Sequence, residues 1–398
     1  MTAAERQGGR FAALDHIRGL SILGILIVNA IAFAQPFDVY VDPRRSPVPM
    51  SPADDVAWWA IETFARDKFI TLFSLLFGVS IFLVGETGER PLQRRLIWLL
   101  VFGVIHGALI WHGDILFLYA VTGLVFMQWR ERPASWLIAV GAVVYAVTTA
   151  ALVGIDVLAQ FIPMGLELPD RNPAYVEQMR SGFLSSLTGN AWQWAQDVIA
   201  AVIVFGPHTL GLMMLGLGLF KAGFLKGESR NGLYGLAVAA GLIALVPLAV
   251  MNLAFVQGGY RGVDFWLVFD ILDKALPLVI SLGYAAILIV IARTGAGGLL
   301  YPLACAGRMA FTNYLMQSVI MTALFYGGRA PAGTVVLGYE LPLYGTLNHA
   351  SLVPIVAAIW VGQLLFSMLW LQVFRYGPFE WGWRCLTYRR WMPILNSR

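Results

Sequence analysis

The sequence predicts an all-α fold: a polytopic transmembrane helix bundle of about ten spans, with both termini on the cytoplasmic side. Three observations carry this prediction. Apolar residues make up 59% of the chain and charged residues 13%, against roughly 25% charged in soluble domains. No soluble fold has enough interior to hide that much apolar surface. The apolar residues also fall in long runs, as they must where lipid offers a backbone no hydrogen-bond partner and only helices or closed barrels satisfy it internally. Finally, Lys and Arg are spread unequally between alternate connections.

A span needs about 20 apolar residues. The runs place spans near 17–34, 69–84, 96–111, 115–129, 135–153, 198–220, 233–255, 265–292, 309–326 and 352–374. The third and fourth are short and meet in a tight hairpin at Gly113 and Asp114. With the N-terminus inside, the inner connections hold 18 Lys and Arg and the outer ones hold 9. That excess supports an even number of spans with both ends inside. The first apolar run is followed by nine more, so it does not read as a cleaved signal peptide. Residues 1–398 form a single integral membrane domain, with long outer connections at about 35–68 and 154–197. The second carries an interfacial helix around 175–187. These loops either shape a substrate mouth or are ordinary surface. The expected location is a bacterial inner (cytoplasmic) membrane, crossed many times.

Other classes are excluded by what is missing. Cys305 and Cys385 have no disulfide or metal-ligand spacing. The net charge of +4 is explained by the sidedness of the basic residues. No nucleotide loop, zinc-ligand series or nucleic-acid motif stands out, so neither a metal nor a nucleic acid is an expected partner. The expected partners are the lipid bilayer, small molecules and, in an oligomer, a second copy of the chain.

Ionisable groups inside spans are costly, about 2.5 to 3.5 kcal/mol on insertion scales, so each invites a functional reading beside a structural one. Asp15 and Arg18, three apart on the first span, either neutralise each other or leave the arginine to bind phosphate. His106 and His112 differ in direction by about 240° around a helix, which argues against a shared metal. His106 lies within the helix. His112 and Asp114 lie at the hairpin, where the carboxylate either orients the imidazole as a base or caps the fourth span. His208 follows Pro207 and either lines a pathway at a helix break or, the favoured reading, packs beside a kink. Asp270 and Lys274 are spaced to pair, leaving Asp273 available. Arg308, Asn313, Tyr314 and Gln317 open the ninth span, where polar residues either join helices or line a wet cavity.

Five segments carry a resemblance over nearly the whole chain: LDHIRGLSILGILIVNAIAFAQP from Leu14, KFITLFSLLFGVSIFL from Lys68, RRLIWLLVFGVIHGALIWHGDILFLYA from Arg94, GRMAFTNYLMQSVI from Gly307 and YGPFEWGWRCLTY from Tyr376. Together they resemble the YeiB-like family of bacterial membrane proteins. That family is more remotely similar to transmembrane acyltransferases, including the heparan glucosaminide acetyltransferase type. The resemblance implies acyl-CoA or another acyl donor entering from the cytoplasm and an acceptor on the far side. The chain departs from the superfamily in having Asn29 where related O-acyltransferases carry a histidine, and no histidine in 35–68.

The resulting expectation is an acyltransferase. Arg18, Arg94, Arg95, Arg308 and Arg384 bind the donor, since the planar fork of arginine suits phosphate. His106, then His112 with Asp114, are the candidate bases. Asp15, Asn29, Asp270, Asp273, Lys274, Asn313, Tyr314 and Gln317 are the candidates for a polar cavity. A transporter or channel for a small solute and a non-catalytic membrane scaffold are the alternatives. A deep cavity joining the histidines to the cytoplasm favours the first, an alternating pathway the second, and a fully packed interior the third.

Overall fold

The computed structural model describes residues 3–161, 172–260, 266–330, 333–336 and 338–396. Parts of the outer connection 154–197, the start of the eighth expected span and Arg398 therefore lie outside the described residues. The chain folds as an all-α bundle of membrane-protein character. Helix α1 (Ala3–Ala34) leads into short α2 (Phe37–Val41) and α3 (Pro52–Phe64). Then come α4 (Lys68–Gly85), α5 (Glu89–Leu109), α6 (Leu116–Phe126) and α7 (Ala134–Phe161). Short α8 (Asn172–Arg180) precedes α9 (Phe183–Lys221), α10 (Asn231–Gln257) and α11 (Trp266–Arg293). The last part holds α12 (Tyr301–Arg308), α13 (Ala310–Phe325), α14 (His349–Val373) and α15 (Pro378–Tyr388). A two-residue hairpin, β1 (Val335–Val336) with antiparallel β2 (Tyr339–Glu340), decorates the connection before α14.

Eight helical stretches among the described residues are long and apolar enough to cross a membrane. The other two expected spans fall on α6 and α13, which are only 11 and 16 residues long. The solvent logic of a soluble protein is reversed. Ile199, Ile203, Leu236, Ile243, Val246 and Leu369 are exposed on the outside, while Asn190, Asn313, Gln317 and Gln363 are buried. That is the arrangement lipid demands. The interfacial helix expected at 175–187 is instead two pieces, because Gly182, with φ of 122°, breaks the chain between α8 and an α9 that starts well before residue 198.

Two details place the site. Gly19 of α1 and Gly307 of α12 let two backbones touch: a Cβ on either would sit 2.0 Å from the Leu303 carbonyl oxygen or 1.9 Å from that of Asp15. Only glycine permits that approach, and it sets Arg308 beside Asp15 and Arg18. At the α12–α13 break, Glu380 of α15 accepts hydrogen bonds from the Phe311 and Thr312 backbone N–H groups at 2.7 and 3.0 Å. A carboxylate there satisfies donors that a helix start leaves free and complements its dipole, so α15 is pinned across the end of the bundle.

Candidate functional site

A cavity of about 280 Å³ lies between α1, α4, α5, α6, α13 and α15. Its mouth carries Arg18, Arg95, Arg308 and Arg384 with Glu380, brought from α1, α5, α15 and the junction of α12 and α13. Phe73, Leu76, Phe77, Leu96 and Leu99 form an apolar wall, and Ile115, Tyr119 and Tyr314 close the inner end. Four of the five arginines expected to bind a donor therefore converge on one space. Arg94 does not line it; its Nε donates to the Arg90 carbonyl at 3.3 Å. Successive residues on a helix differ by 100° in direction, so only one of Arg94 and Arg95 can face the cavity.

The mouth is positively biased. Arg18 pairs with Asp15 at 2.8 Å. The Arg95 guanidinium lies 3.6 Å from the Trp383 ring and that of Arg384 4.4 Å from the Tyr376 ring, while Arg308 donates to the Arg375 carbonyl. Arg95, Arg308 and Arg384 have no carboxylate partner within ion-pair distance among the described residues. Stacking on an aromatic face leaves a guanidinium's edge donors available to an anion. Burial raises the Glu380 carboxyl, opposed by its hydrogen bonds from Thr312 and Phe311.

Beyond the inner end lies a buried polar chain. The His106 Nδ1 is 2.8 Å from Asp114 Oδ1, with side chains 1% and 0% exposed. Asp114 Oδ2 accepts the Phe117 backbone N–H at 2.8 Å. A single carboxylate thus caps α6 and orients an imidazole, so the two readings of Asp114 are both true of its geometry. The imidazole is His106, however, and the expected pairing with His112 is not formed. His106 Nε2 is 2.8 Å from Ser318 Oγ. An ionised Asp114 can only accept, which places the proton on Nδ1 and makes Nε2 the acceptor for Ser318. The His106 ring also packs 5.0 Å from that of Tyr314, which lines the cavity, and Ile115, next to Asp114, lines it too. Asn190 of α9 fixes this corner. Its Nδ2 donates to the Gly107 and Ala108 carbonyls, and its Oδ1 accepts the His112 N–H.

The remaining candidates lie elsewhere. His112 is buried against Phe37 and Trp111, with ring centroids 6.1 and 6.0 Å away, and burial pushes its pKa down to about 4. Asn29 is half-buried on α1 and off the cavity. Asn313 donates to Ala306 and Ser367, and Gln317 to Ile22 and Gln363; both tie α13 to its neighbours rather than line a space. Lys274 is bound by Asp270 and, at 2.6 Å, by Asp156 of α7. Asp273 instead lies within electrostatic reach of Asp67, Lys68 and Arg66. His208 meets Thr148 at 3.2 Å and stacks near Tyr145, a packing role beside Pro207.

With this geometry in place, likeness to known proteins is informative. Residues 219–390 match the family described as "Protein of unknown function (DUF418)". The "Uncharacterized protein YeiB" of Escherichia coli (strain K12) is 31% identical, covering 98% of this chain and 99% of the relative. The "Uncharacterized protein YxaH" of Bacillus subtilis (strain 168) is also 31% identical, covering 98% and 96%. The chain belongs to the YeiB-like family. No solved structure matches it.

In this YeiB-like chain the site also uses residues that sequence reading passed over. Ser318 stands on an apolar helix, where a serine reads as ordinary packing. Glu380 lies in a tail after the last span, and Tyr119 in a run of apolar residues. The one signal for Glu380 was its place in the segment from Tyr376 that supports the family resemblance.

Proposed function

We propose that this protein is a transmembrane acyltransferase that moves an acyl group from a coenzyme A-type thioester to an acceptor across a bacterial inner membrane. The cavity is the observation that supports this most: an arginine-lined mouth, an apolar wall and an inner end in contact with a histidine–aspartate pair. A phosphate-bearing donor gains charge-assisted hydrogen bonds at such a mouth, an acyl arm gains apolar contact along the wall, and a carboxylate-oriented imidazole has the arrangement of a general base. From Arg95 to His106 is eleven residues, about 16 Å of helix rise, a span suited to an extended thioester arm. A scaffold has no need of an internal space with an arginine mouth.

This reading includes the topology that the 18-to-9 distribution of Lys and Arg supports: ten spans, with short α6 and α13 among them, and both termini cytoplasmic. The arginine mouth then faces the cytoplasm, where acyl-CoA is found. Acyl-CoA should stabilise the purified protein against heat, because a ligand that binds only the folded state shifts unfolding by mass action. Arg308→Ala and Arg384→Ala should be stabilised less, and Arg94→Ala, on the same helix as Arg95 but off the cavity, as much as the parent. Absence of any shift with saturating acetyl-, butyryl- or octanoyl-CoA would remove the basis for this donor.

A further inference from the structure

We infer that Ser318 is a catalytic nucleophile and that acyl transfer proceeds in two steps through an ester on its Oγ. This rests on the acyltransferase reading and goes beyond it, since a base alone calls for direct attack by the acceptor. The reason is the occupancy of His106. Its Nδ1 is held by Asp114 at 2.8 Å and its Nε2 faces Ser318 Oγ at 2.8 Å. No nitrogen of this imidazole is left to meet an acceptor directly; among the described residues, the hydroxyl aligned to give it a proton belongs to Ser318. A nucleophile within reach of a base that is itself oriented by a carboxylate is the arrangement that activates serine on unrelated folds.

Other serines in this bundle show that the contact is not the usual habit of a helical serine. Ser21, Ser74 and Ser80 bond back to the carbonyl four residues earlier at 2.7, 2.8 and 2.9 Å, as serine commonly does in membrane helices. For Ser318 the same back-bond, to the Tyr314 carbonyl, is stretched to 3.3 Å. Its single proton has the shorter path to His106. Ser318 also lies one turn beyond Tyr314 on the same face of α13. Tyr314 lines the cavity and its ring packs 5.0 Å from that of His106, while its hydroxyl accepts the Ile115 N–H at 3.4 Å, a weak tether. Ser318 itself is buried and does not line the cavity, so the proposed reaction requires the Tyr314 ring to move aside.

The steps balance. In the first, the Ser318 proton passes to His106 Nε2 as Oγ attacks the thioester carbonyl carbon. The C–S bond then breaks, and the leaving thiolate takes that proton, so coenzyme A departs and the acyl group remains as an ester. In the second, an acceptor hydroxyl or amine gives its proton to Nε2 and attacks the ester. Oγ leaves and recovers the proton. No oxidant or further reactant is needed.

The test uses the full chain in lipid nanodiscs with radiolabelled acetyl-, butyryl- and octanoyl-CoA, quenched in acid and mapped by mass spectrometry, with a fluorophosphonate probe in parallel. An acyl adduct on Ser318 and fluorophosphonate labelling at the same residue are expected. Ser318→Ala should lose both and transfer acyl groups about 10³-fold more slowly or worse. Ser318→Cys guards against misfolding: it should form a thioester that neutral hydroxylamine cleaves, whereas the parent ester resists it. Turnover without any adduct, with Ser318→Ala at the parent rate, overturns the nucleophile while leaving the acyltransferase reading intact. If no acyl-CoA binds, that reading fails on its own, and the fluorophosphonate decides: labelling at Ser318 keeps the activated serine, and no labelling overturns it.

Discussion

Two groups of arginines in this bundle are held differently. Away from the cavity mouth, Arg44 is bound to Asp42 at 2.8 Å, Arg45 to Asp38 at 3.3 Å and Arg66 to Glu62 at 2.9 Å. At the mouth, Arg95 and Arg384 lie over aromatic rings and Arg308 meets a backbone carbonyl, while Arg18 alone is paired with a carboxylate. The first set is neutralised by neighbouring carboxylates of the protein itself. The second keeps guanidinium edges for something outside the protein, because cation–π stacking occupies the face and not the N–H donors. Residue type is the same in both groups; what distinguishes recognition from structure is who holds the charge.

The largest effect is expected at the inner end of the cavity. A general base typically contributes about 10²- to 10⁴-fold in rate. His106→Gln, which keeps polarity and approximate size, should therefore cut acyl transfer by about that factor while expression and melting temperature stay near the parent. Activity lost only in proportion to lost folded protein would return His106 to a packing role. Asp114→Asn should lose activity too but also weaken the cap of α6, so it alone should show both effects.

Next in size is a pH effect away from the mouth. The folded pKa of His112 is about 4, below the usual 6.5 of an unfolded histidine. The unfolded chain then binds the extra proton first. Stability from the neutral, buried imidazole is complete above pH 6.5 and is lost as pH falls through the window toward 4, by an amount on the order of 3 kcal/mol. Glu380, raised by burial, works the other way, since its folded form holds a proton longer. The clean measurement is therefore a difference: unfolding of parent and His112→Gln followed from pH 7 to 4, with the stability of the parent falling more steeply. Parallel curves would place His112 in contact with water.

How much of this was legible in the sequence follows from how far apart the partners are. Long apolar helices such as α7, α10 and α14 are local facts, so periodicity and length found them. The four mouth arginines were each recognisable as cations near span ends, yet their convergence depends on Gly19 and Gly307 letting α1 and α12 touch, and on Glu380 pinning α15. His106, His112 and Asp114 were all singled out, but the carboxylate was matched to the wrong imidazole. His106 and Asp114 are eight residues apart across a hairpin, and only the fold-back of α6 on α5 brings them to 2.8 Å, whereas His112 and Asp114 look adjacent in the chain and face different ways. Ser318 is 212 residues from His106, a separation at which sequence pattern carries no signal. Asn313 and Gln317 show the converse: their spacing gave a shared face correctly, but that face turned to α1 and α14.

A structural arginine should reveal itself without ligand. Arg66 holds Glu62 and donates to the Tyr40 carbonyl at 3.0 Å. Arg66→Ala leaves a partly buried carboxylate without its counter-ion, and a loss of about 2 kcal/mol in stability is expected, below the value for fully buried pairs because water reaches both groups. Binding of acyl-CoA, followed as ligand-induced stabilisation, should be unchanged.

The smallest effect on stability should come from Arg384→Ala, and it is the variant that separates the two groups most sharply. Removing a guanidinium that lies over the Tyr376 ring costs about 0.5 to 1 kcal/mol, near the limit of a melting measurement. Its loss should instead appear in the ligand: one charge-assisted contact to phosphate, worth about 1.4 kcal/mol, weakens acyl-CoA about tenfold. Dephospho-CoA thioesters, which carry one phosphate fewer, should discriminate less between Arg384→Ala and the parent if Arg384 meets that group, and equally if it meets the diphosphate. Arg384→Lys should recover part of the affinity but not all, since an ammonium supplies charge without the paired N–H geometry. A variant that melted several degrees lower with unaltered acyl-CoA affinity would show that Arg384 belongs with Arg66, and that the mouth is held together by its arginines rather than presenting them.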